Sequence, residues 1–276
     1  MDARAILREL GLRPRKGLGQ NFLVDRSVLP KIVAAAEVGP QDTVIEVGPG
    51  LGVLTERLAA TAGRVIAVEL DDALADALKK RFAGQPNVQV VHGDVLNLSP
   101  ADLIGSGDSR YKVVANLPYY ITSAVLRHFL EAEARPALMV VMVQLEVAQR
   151  IVARPPDMSL LSVAVQFYGR ARIVARVPPG AFYPAPKVDS AILRIDVYDK
   201  PAVEVANKEW FFHVVQAGFG QRRKQLVNSL SAGLDIDKGR ASAALQSCVL
   251  SPTLRAEALS LEDWACLAGK LGQGDR

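Results

Sequence analysis

Asn116-Leu117-Pro118-Tyr119 closes an apolar run and carries the most specific chemistry in the chain. The exocyclic amine of adenine is a poor nucleophile because its lone pair is delocalised into the ring. Two acceptors, the Asn116 side-chain oxygen and the Leu117 carbonyl, can hold its two protons and favour a more tetrahedral nitrogen. Pro118 keeps the residue before it extended, so that carbonyl can turn toward a site. Tyr119 can stack on the base, a contact worth roughly 1–3 kcal/mol. No strong base is required, since the nitrogen becomes acidic once methylated and sheds its proton to water. Taken alone, the four residues also fit a stiffened β-to-α turn with a core tyrosine.

A second group points to a nucleoside cofactor. Glu46-Val47-Gly48-Pro49-Gly50-Leu51-Gly52 lies between a β-branched run and a helical stretch. Its glycines allow a sharp turn and close backbone approach to a ligand. The spacing is G-x-G-x-G; a dinucleotide fingerprint would need glycine where Val53 stands, which disfavours a dehydrogenase. Glu69 follows the first glycine by about twenty residues, where a carboxylate can hold both ribose hydroxyls. Asp94, followed by Val95, can accept from an adenine amino group. Alone, Glu69 fits a solvated strand-end acid beside Asp71 and Asp72 equally well, and Asp94 fits an ordinary turn after Gly93. With no 2′-phosphate clamp and no Walker lysine, S-adenosylmethionine is the expected cofactor.

The elements that must position these residues alternate. Asp25 or Ser27 can cap a helix running to about Ala36 and stopping at Gly39-Pro40. Thr43–Val47, Arg64–Glu69, Val88–Val91, Lys112–Ala115 and Ala137–Val143 read as short, continuously apolar strands. The helices between them include about Leu51 to Ala60 and Asp72 to Phe82. This alternation indicates a parallel sheet covered on both faces, a doubly wound α/β domain. Leu160–Tyr168 and Ala171–Val177 read as a hairpin around Gly169-Arg170, and Ser190–Val197 as a further strand, with antiparallel strands closing the sheet. Beyond about Pro201 only helical periodicity remains. The expected division is a domain over residues 1–200 and a helical satellite over 201–276.

Together these stretches resemble the S-adenosylmethionine-dependent ribosomal RNA adenine dimethyltransferases, particularly the small-subunit rRNA enzymes of bacteria. The resemblance runs from about Arg15 to at least Leu230. It rests on Leu18-Gly19-Gln20-Asn21-Phe22-Leu23, Glu46 to Gly52, Asn116 to Ile121, Phe182 to Ser190, and Gln221-Arg222-Arg223-Lys224. It implies a Rossmann-like methyltransferase domain with a small all-helical C-terminal domain. It also implies cofactor contacts from Asn21, Leu23, Gly48, Glu69, Asp94 and Asn116, to which Glu46, Gly50, Gly52 and Val95 are joined by position. Phe182, otherwise a lid residue in a Pro-rich loop, becomes the second face of an aromatic clamp opposite Tyr119. Gly17 departs from the family pattern, where a basic or hydroxylated residue often stands, which puts one phosphate contact in doubt. The implied reaction is N6,N6-dimethylation of two adjacent adenosines in the hairpin near the 3′ end of small-subunit rRNA, in ribosome assembly.

Charge agrees with that division of labour. The net +4 is distributed as +4 over residues 1–36, −4 over 37–144, +3 over 145–202 and +1 over 203–276. The acidic section holds the candidate cofactor residues, where a cationic sulfonium would sit. Arg15, Lys16 and an expected helical strip of Arg222, Arg223 and Lys224 are candidate phosphate contacts. A solvated surface is the plainer alternative for each charge run. The expected partners are small-subunit rRNA and the immature small subunit, with the chain acting as a monomer in the cytoplasm. The longest apolar run, Ala137–Val143, is far short of the roughly 18 residues a membrane span needs. The cysteines, Cys248 and Cys266, stand far apart, which suggests a reducing compartment and excludes a disulfide framework. The histidines His92, His128 and His213 are isolated, so no metal site is expected. Two rivals remain: a large-subunit rRNA adenine methyltransferase of the antibiotic-resistance type, in which Ile usually follows the catalytic Asn, and a non-catalytic RNA-binding assembly factor. The latter could dispense with Glu46, Glu69, Asn116 and Tyr119, all of which are present.

Overall fold

A computed structural model of the chain describes residues 3–9, 11–105, 110–221 and 223–272. These divide into two compact units, residues 1–148 with 170–197 and residues 149–169 with 198–276. The second unit thus takes in a segment upstream of the expected boundary at residue 200.

The first unit begins with helix α1 (Ala3–Glu9), the two-residue strand β1 (Phe22–Leu23) and helix α2 (Val28–Ala36). Asp25 Oδ1 accepts from the Ser27 amide at 2.8 Å, while Ser27, at the cap position, makes no side-chain cap bond. The helix ends at Ala36, as expected, with left-handed Glu37 (φ 48°) as its C-cap. The strands that follow are β2 (Thr43–Val47), β3 (Arg64–Glu69), β4 (Val88–His92), β5 (Tyr111–Asn116), β6 (Leu138–Gln144), β7 (Gly169–Val177), β8 (Phe182–Tyr183) and β9 (Ser190–Val197). Seven of them form one sheet in the order β4-β3-β2-β5-β6-β9-β7, and β1 pairs with β8 in a separate ribbon. The first five are parallel, and β9 runs antiparallel to β6.

Burial explains why these runs become central strands. Val44, Ile45, Val65, Ile66, Val113, Val114, Met139 and Val140 are completely buried, as a sheet covered on both faces requires. Helices α3 (Val53–Ala59), α4 (Asp72–Arg81), α5 (Pro100–Ile104) and α6 (Thr122–Leu130) connect the strands. The chain lays β2, β3 and β4 outward in one direction, then returns to place β5 on the other side of β2. That reversal opens a crevice beyond the carboxyl ends of β2 and β5, the usual ligand position in such sheets. Register aligns the crevice: Val47 pairs with both Val68 and Ala115, so the Gly48 turn, Glu69 and Asn116 emerge at one level.

The second unit contains α8 (Leu160–Gln166), α9 (Lys208–Phe219), α10 (Leu226–Leu234), α11 (Lys238–Ser247) and α12 (Leu261–Leu271); α7 (Leu145–Val152) spans the boundary between units. The expected strand over Leu160–Tyr168 is therefore a helix, and only β7 of the expected hairpin is extended. A capping box overrides the β-branched composition: the Ser159 hydroxyl accepts from the Ser162 amide at 3.1 Å, and Ser162 reciprocates. Trp264, Phe211, Leu230 and Leu245 form fully buried packing among these helices. Cys248 and Cys266 are joined in a disulfide, with Cα atoms 5.9 Å apart. The expectation drawn from their separation in sequence is thus corrected: α11 and α12 pack together and bring the two positions into bonding distance.

Candidate active site

One cavity occupies the crevice. Its walls are Leu18–Leu23 from the leading arm, Glu46–Leu51 from the glycine turn, Glu69 at the end of β3, Gly93–Val95 after β4 and Asn116–Ile121 after β5. Of the ten expected cofactor residues, nine line it: Asn21, Leu23, Glu46, Gly48, Gly50, Glu69, Asp94, Val95 and Asn116. Gly48 and Gly50 have φ of 65° and 57°, values that glycine adopts without steric cost. Gly52 is the exception. It is the left-handed N-cap of α3, and a Cβ there would meet Leu78 and Phe82 at 2.8 Å, so it serves close packing of helix on helix rather than the cavity.

The acidic groups are held in different states. Glu69 is 6% exposed; its Oε2 accepts from the Gly50 amide at 3.0 Å and its Oε1 from the Asp71 amide at 2.9 Å. Burial raises its pKa against the opposing pull of those amides. Glu46, 1% exposed, has an Oε2 without a hydrogen-bond partner. Burial pushes its carboxyl up to about 8; the Thr55 hydroxyl offsets part of this and the neighbouring Glu69 charge adds to it. Asp94 Oδ1 accepts from the Leu96 amide at 3.0 Å, so it caps the turn that follows while lining the cavity.

Asn116 is oriented by the leading arm. Its Nδ2 donates to the Asn21 carbonyl at 3.0 Å, which commits the amide's donor side and leaves Oδ1 as the acceptor. The Leu117 amide donates to the Met142 carbonyl at 3.2 Å, anchoring the turn to β6. Pro118 starts a 3-10 turn over Tyr119–Ile121. The Tyr119 hydroxyl lies 2.7 Å from Ser190 Oγ, and burial raises its pKa, so the ring is tethered at its far end as a neutral phenol. Asn116, Leu117, Pro118 and Tyr119 therefore all reach the cavity.

Other expected residues are placed differently. Phe182 is 4% exposed, pairs in β8 opposite Leu23 of β1 and packs in the apolar core beneath the arm. It is not among the residues that line this cavity. The reason is that β8 draws its ring inward with Leu23, Ala181 and Ile192. Arg15 sets its guanidinium on Asp71 at 3.2 Å and Asp72 at 3.3 Å, which occupies a group expected to meet phosphate. Arg223 and Lys224 are exposed, but in the turn between α9 and α10 rather than on a helix. Arg222 and the side chain of Lys16 lie outside the described residues.

Residues not expected from sequence complete the site. Gln20 donates to Asp71 Oδ2 at 3.2 Å, and Asp71 Oδ1 caps α4 by accepting from the Ala73 and Leu74 amides. In sequence Asp71 is one acid among three; only its position just before a helix hints at a cap. Ser190, the tether for Tyr119, is seventy-one residues away in sequence, and no local pattern could have paired them. Among the described residues no group of three His, Cys, Asp or Glu is placed to hold a metal ion.

Comparison with known proteins agrees with this geometry. Residues 11–268 match the ribosomal RNA adenine dimethylase family. A protein of Dehalococcoides mccartyi strain 195 named ribosomal RNA small subunit methyltransferase A is 53% identical over 266 residues, covering 96% of this chain and 91% of that one. Its namesake from Moorella thermoacetica is 47% identical over 276 residues, covering 97% and 96%. Among solved structures, the 23S rRNA methyltransferase ErmE superposes with a TM-score of 0.72 at 32% identity, over 92% of this chain and all of that one. A dimethyladenosine transferase from Plasmodium falciparum shares the fold with a TM-score of 0.75 at 24% identity, over 89% and 95%. With the Asn116 turn, the glycine turn and Glu69 converging on one cavity, the chain belongs to the ribosomal RNA adenine dimethylase family.

Proposed function

We propose that this chain methylates N6 of two adjacent adenosines, twice each, in the 3′-terminal hairpin of small-subunit rRNA, as part of small-subunit biogenesis. The observation that carries this reading is the Asn116 amide: with Nδ2 held by the Asn21 carbonyl, Oδ1 is left to accept from an amino group. The cavity fits S-adenosylmethionine as cofactor. Glu69 ends a strand where a ribose is expected, Asp94 lies beyond the adjacent strand, and the buried Glu46 oxygen lacks a partner. The carboxyl groups of Glu69 and Asp94 in the lining suit a cationic ligand. When bound, the cofactor supplies a methyl group on a good leaving group, the sulfonium.

The protein's own part is positioning. Asn116 Oδ1 and the Leu117 carbonyl hold the two amino protons, and Tyr119 stacks on the base. Glu69, Asp94 and the glycine turn would hold the cofactor, so that its methyl carbon is offered to the nitrogen that Asn116 and Leu117 orient. The nitrogen then sheds a proton to water. Repetition requires the monomethylated amine to turn and present its remaining proton to Asn116. A target adenine must leave its stack, which a hairpin loop permits most cheaply. Arg223 and Lys224, exposed in their turn, fit the RNA backbone, and the helical unit is assigned to RNA binding. Phe182 is assigned to support of the arm. The chain works as a monomer in the cytoplasm, where small subunits assemble.

The test is incubation with labelled S-adenosylmethionine and immature small subunits lacking this modification, followed by mapping. Label at the paired adenosines is expected. Label in large-subunit RNA would move the substrate to the antibiotic-resistance type, and absence of label would leave an RNA-binding assembly factor.

A further inference from the structure

The leading arm is built into the site through a continuous set of polar contacts. Arg15 Nε meets Asp71 Oδ2 at 3.2 Å and its Nη2 meets Asp72 Oδ1 at 3.3 Å. The Arg15 amide donates to Gln20 Oε1 at 2.8 Å, and Gln20 Nε2 returns to Asp71 Oδ2 at 3.2 Å. Asp71 is 4% exposed, and Arg15 is its sole ion-pair partner among the described residues. The Asp71 amide holds Glu69, whose other oxygen holds the Gly50 turn. Six residues beyond Arg15, the Asn21 carbonyl receives Asn116 Nδ2. Between these points Phe22 packs against Gly50, with ring carbons 3.2 Å from where a Cβ would stand.

We propose that Arg15 is a positioning residue: it latches the leading arm to Asp71 and Asp72, and thereby closes the cofactor cavity and sets the Asn116 amide. This deepens the reading of Asn116 given above and rests on it for the catalytic consequence. Asp71 is a buried carboxylate next to Glu69, and a buried charge that loses its counterion is costly. Without Arg15 that cost falls on the arm-closed state, because in the open state water can reach Asp71. The Asp72 contact is exposed and screened, so it contributes geometry more than energy. A guanidinium can fork across both carboxylates; an ammonium is a point charge that favours one of them.

Four measurements on Arg15→Gln and Arg15→Lys decide the matter. In the cofactor-free protein, hydrogen exchange of the amides of residues 17–24 should quicken in Arg15→Gln and sit between the two extremes in Arg15→Lys. Affinity for S-adenosylhomocysteine by calorimetry should fall about tenfold in Arg15→Gln, as expected for losing the ion pair to a buried carboxylate. Affinity for the rRNA hairpin should change less than about twofold, and thermal unfolding of the whole chain should be little altered. Unchanged arm exchange in Arg15→Gln would overturn the latch. So would a fall in RNA affinity with S-adenosylhomocysteine affinity intact, which would make Arg15 a phosphate contact. A wild-type protein that fails to bind S-adenosylhomocysteine would refute the cofactor assignment, while the exchange measurement would still judge the latch.

Discussion

Replacing Glu46 by Gln isolates the effect of one buried proton. Glu46 sits on β2 with 1% exposure and an unpartnered Oε2, and burial lifts its pKa from the ordinary 4.5 to about 8. The folded protein therefore holds a proton that the unfolded chain has released throughout pH 5 to 8. Stability from this group is complete below pH 4.5 and is lost as pH rises through 8. Integrating the difference in bound protons over pH 5 to 8 gives a loss of a few kcal/mol for the wild type, roughly 1.4 kcal/mol for each pH unit over which only the folded chain holds the proton. Glutamine keeps the shape, stays neutral and has no such term. Denaturant unfolding of both proteins at pH 5, 6, 7 and 8 gives the stability difference, in which all other titrating groups largely cancel. The wild type should lose roughly 2–5 kcal/mol relative to Glu46→Gln across that range, most steeply between pH 5 and 7. A difference that changes by less than about 1 kcal/mol would mean that Glu46 is ionised when folded, and that burial does not control its charge.

Asn116→Ala removes the acceptor at the amine and should lower single-turnover methyl transfer by about 100-fold or more, while binding of the RNA hairpin persists. Loss of RNA binding instead would make Asn116 a structural residue. Gly218→Ala places a Cβ 2.3 Å from Trp264 Cη2 and 3.0 Å from Leu226 Cδ1, and Trp264 is too deeply buried to yield. It should cost about 1–3 kcal/mol in unfolding experiments, and a neutral result would contradict the packing of the helical unit. Exchanging Arg223 and Lys224 for alanine should flatten the salt dependence of RNA binding, lowering the logarithmic slope by about 0.7–0.9 for every phosphate these side chains neutralise. An unchanged slope would remove the turn between α9 and α10 from the RNA interface.

Much of the fold is legible in the sequence because a parallel sheet writes itself as separate apolar runs. Thr43–Val47, Arg64–Glu69 and Ser190–Val197 appear with the expected bounds, and β4, β5 and β6 within one residue at each end. Leu160–Gln166 misleads because β-branched residues look extended in a short window, while the Ser159–Ser162 capping box acts only once the helix begins. The disulfide escapes for a related reason: an interval of 18 residues is long in sequence and 5.9 Å in space once two helices pack.

The candidate site divides along the same line. By itself the sequence determined which chemistry was on offer, because the Asn116–Tyr119 turn, the glycine turn and Glu69 each need particular residue types at short, local spacing. Their convergence also followed, since parallel strands place their carboxyl ends together. Only the tertiary structure decided which side of Asn116 faces the cavity, that Glu46 is buried, and that Phe182 packs into the core. It also paired Arg15 with Asp71, across fifty-six positions of sequence. Each of these depends on a partner far along the chain, and burial and hydrogen bonding between distant residues exist only after the chain has closed on itself.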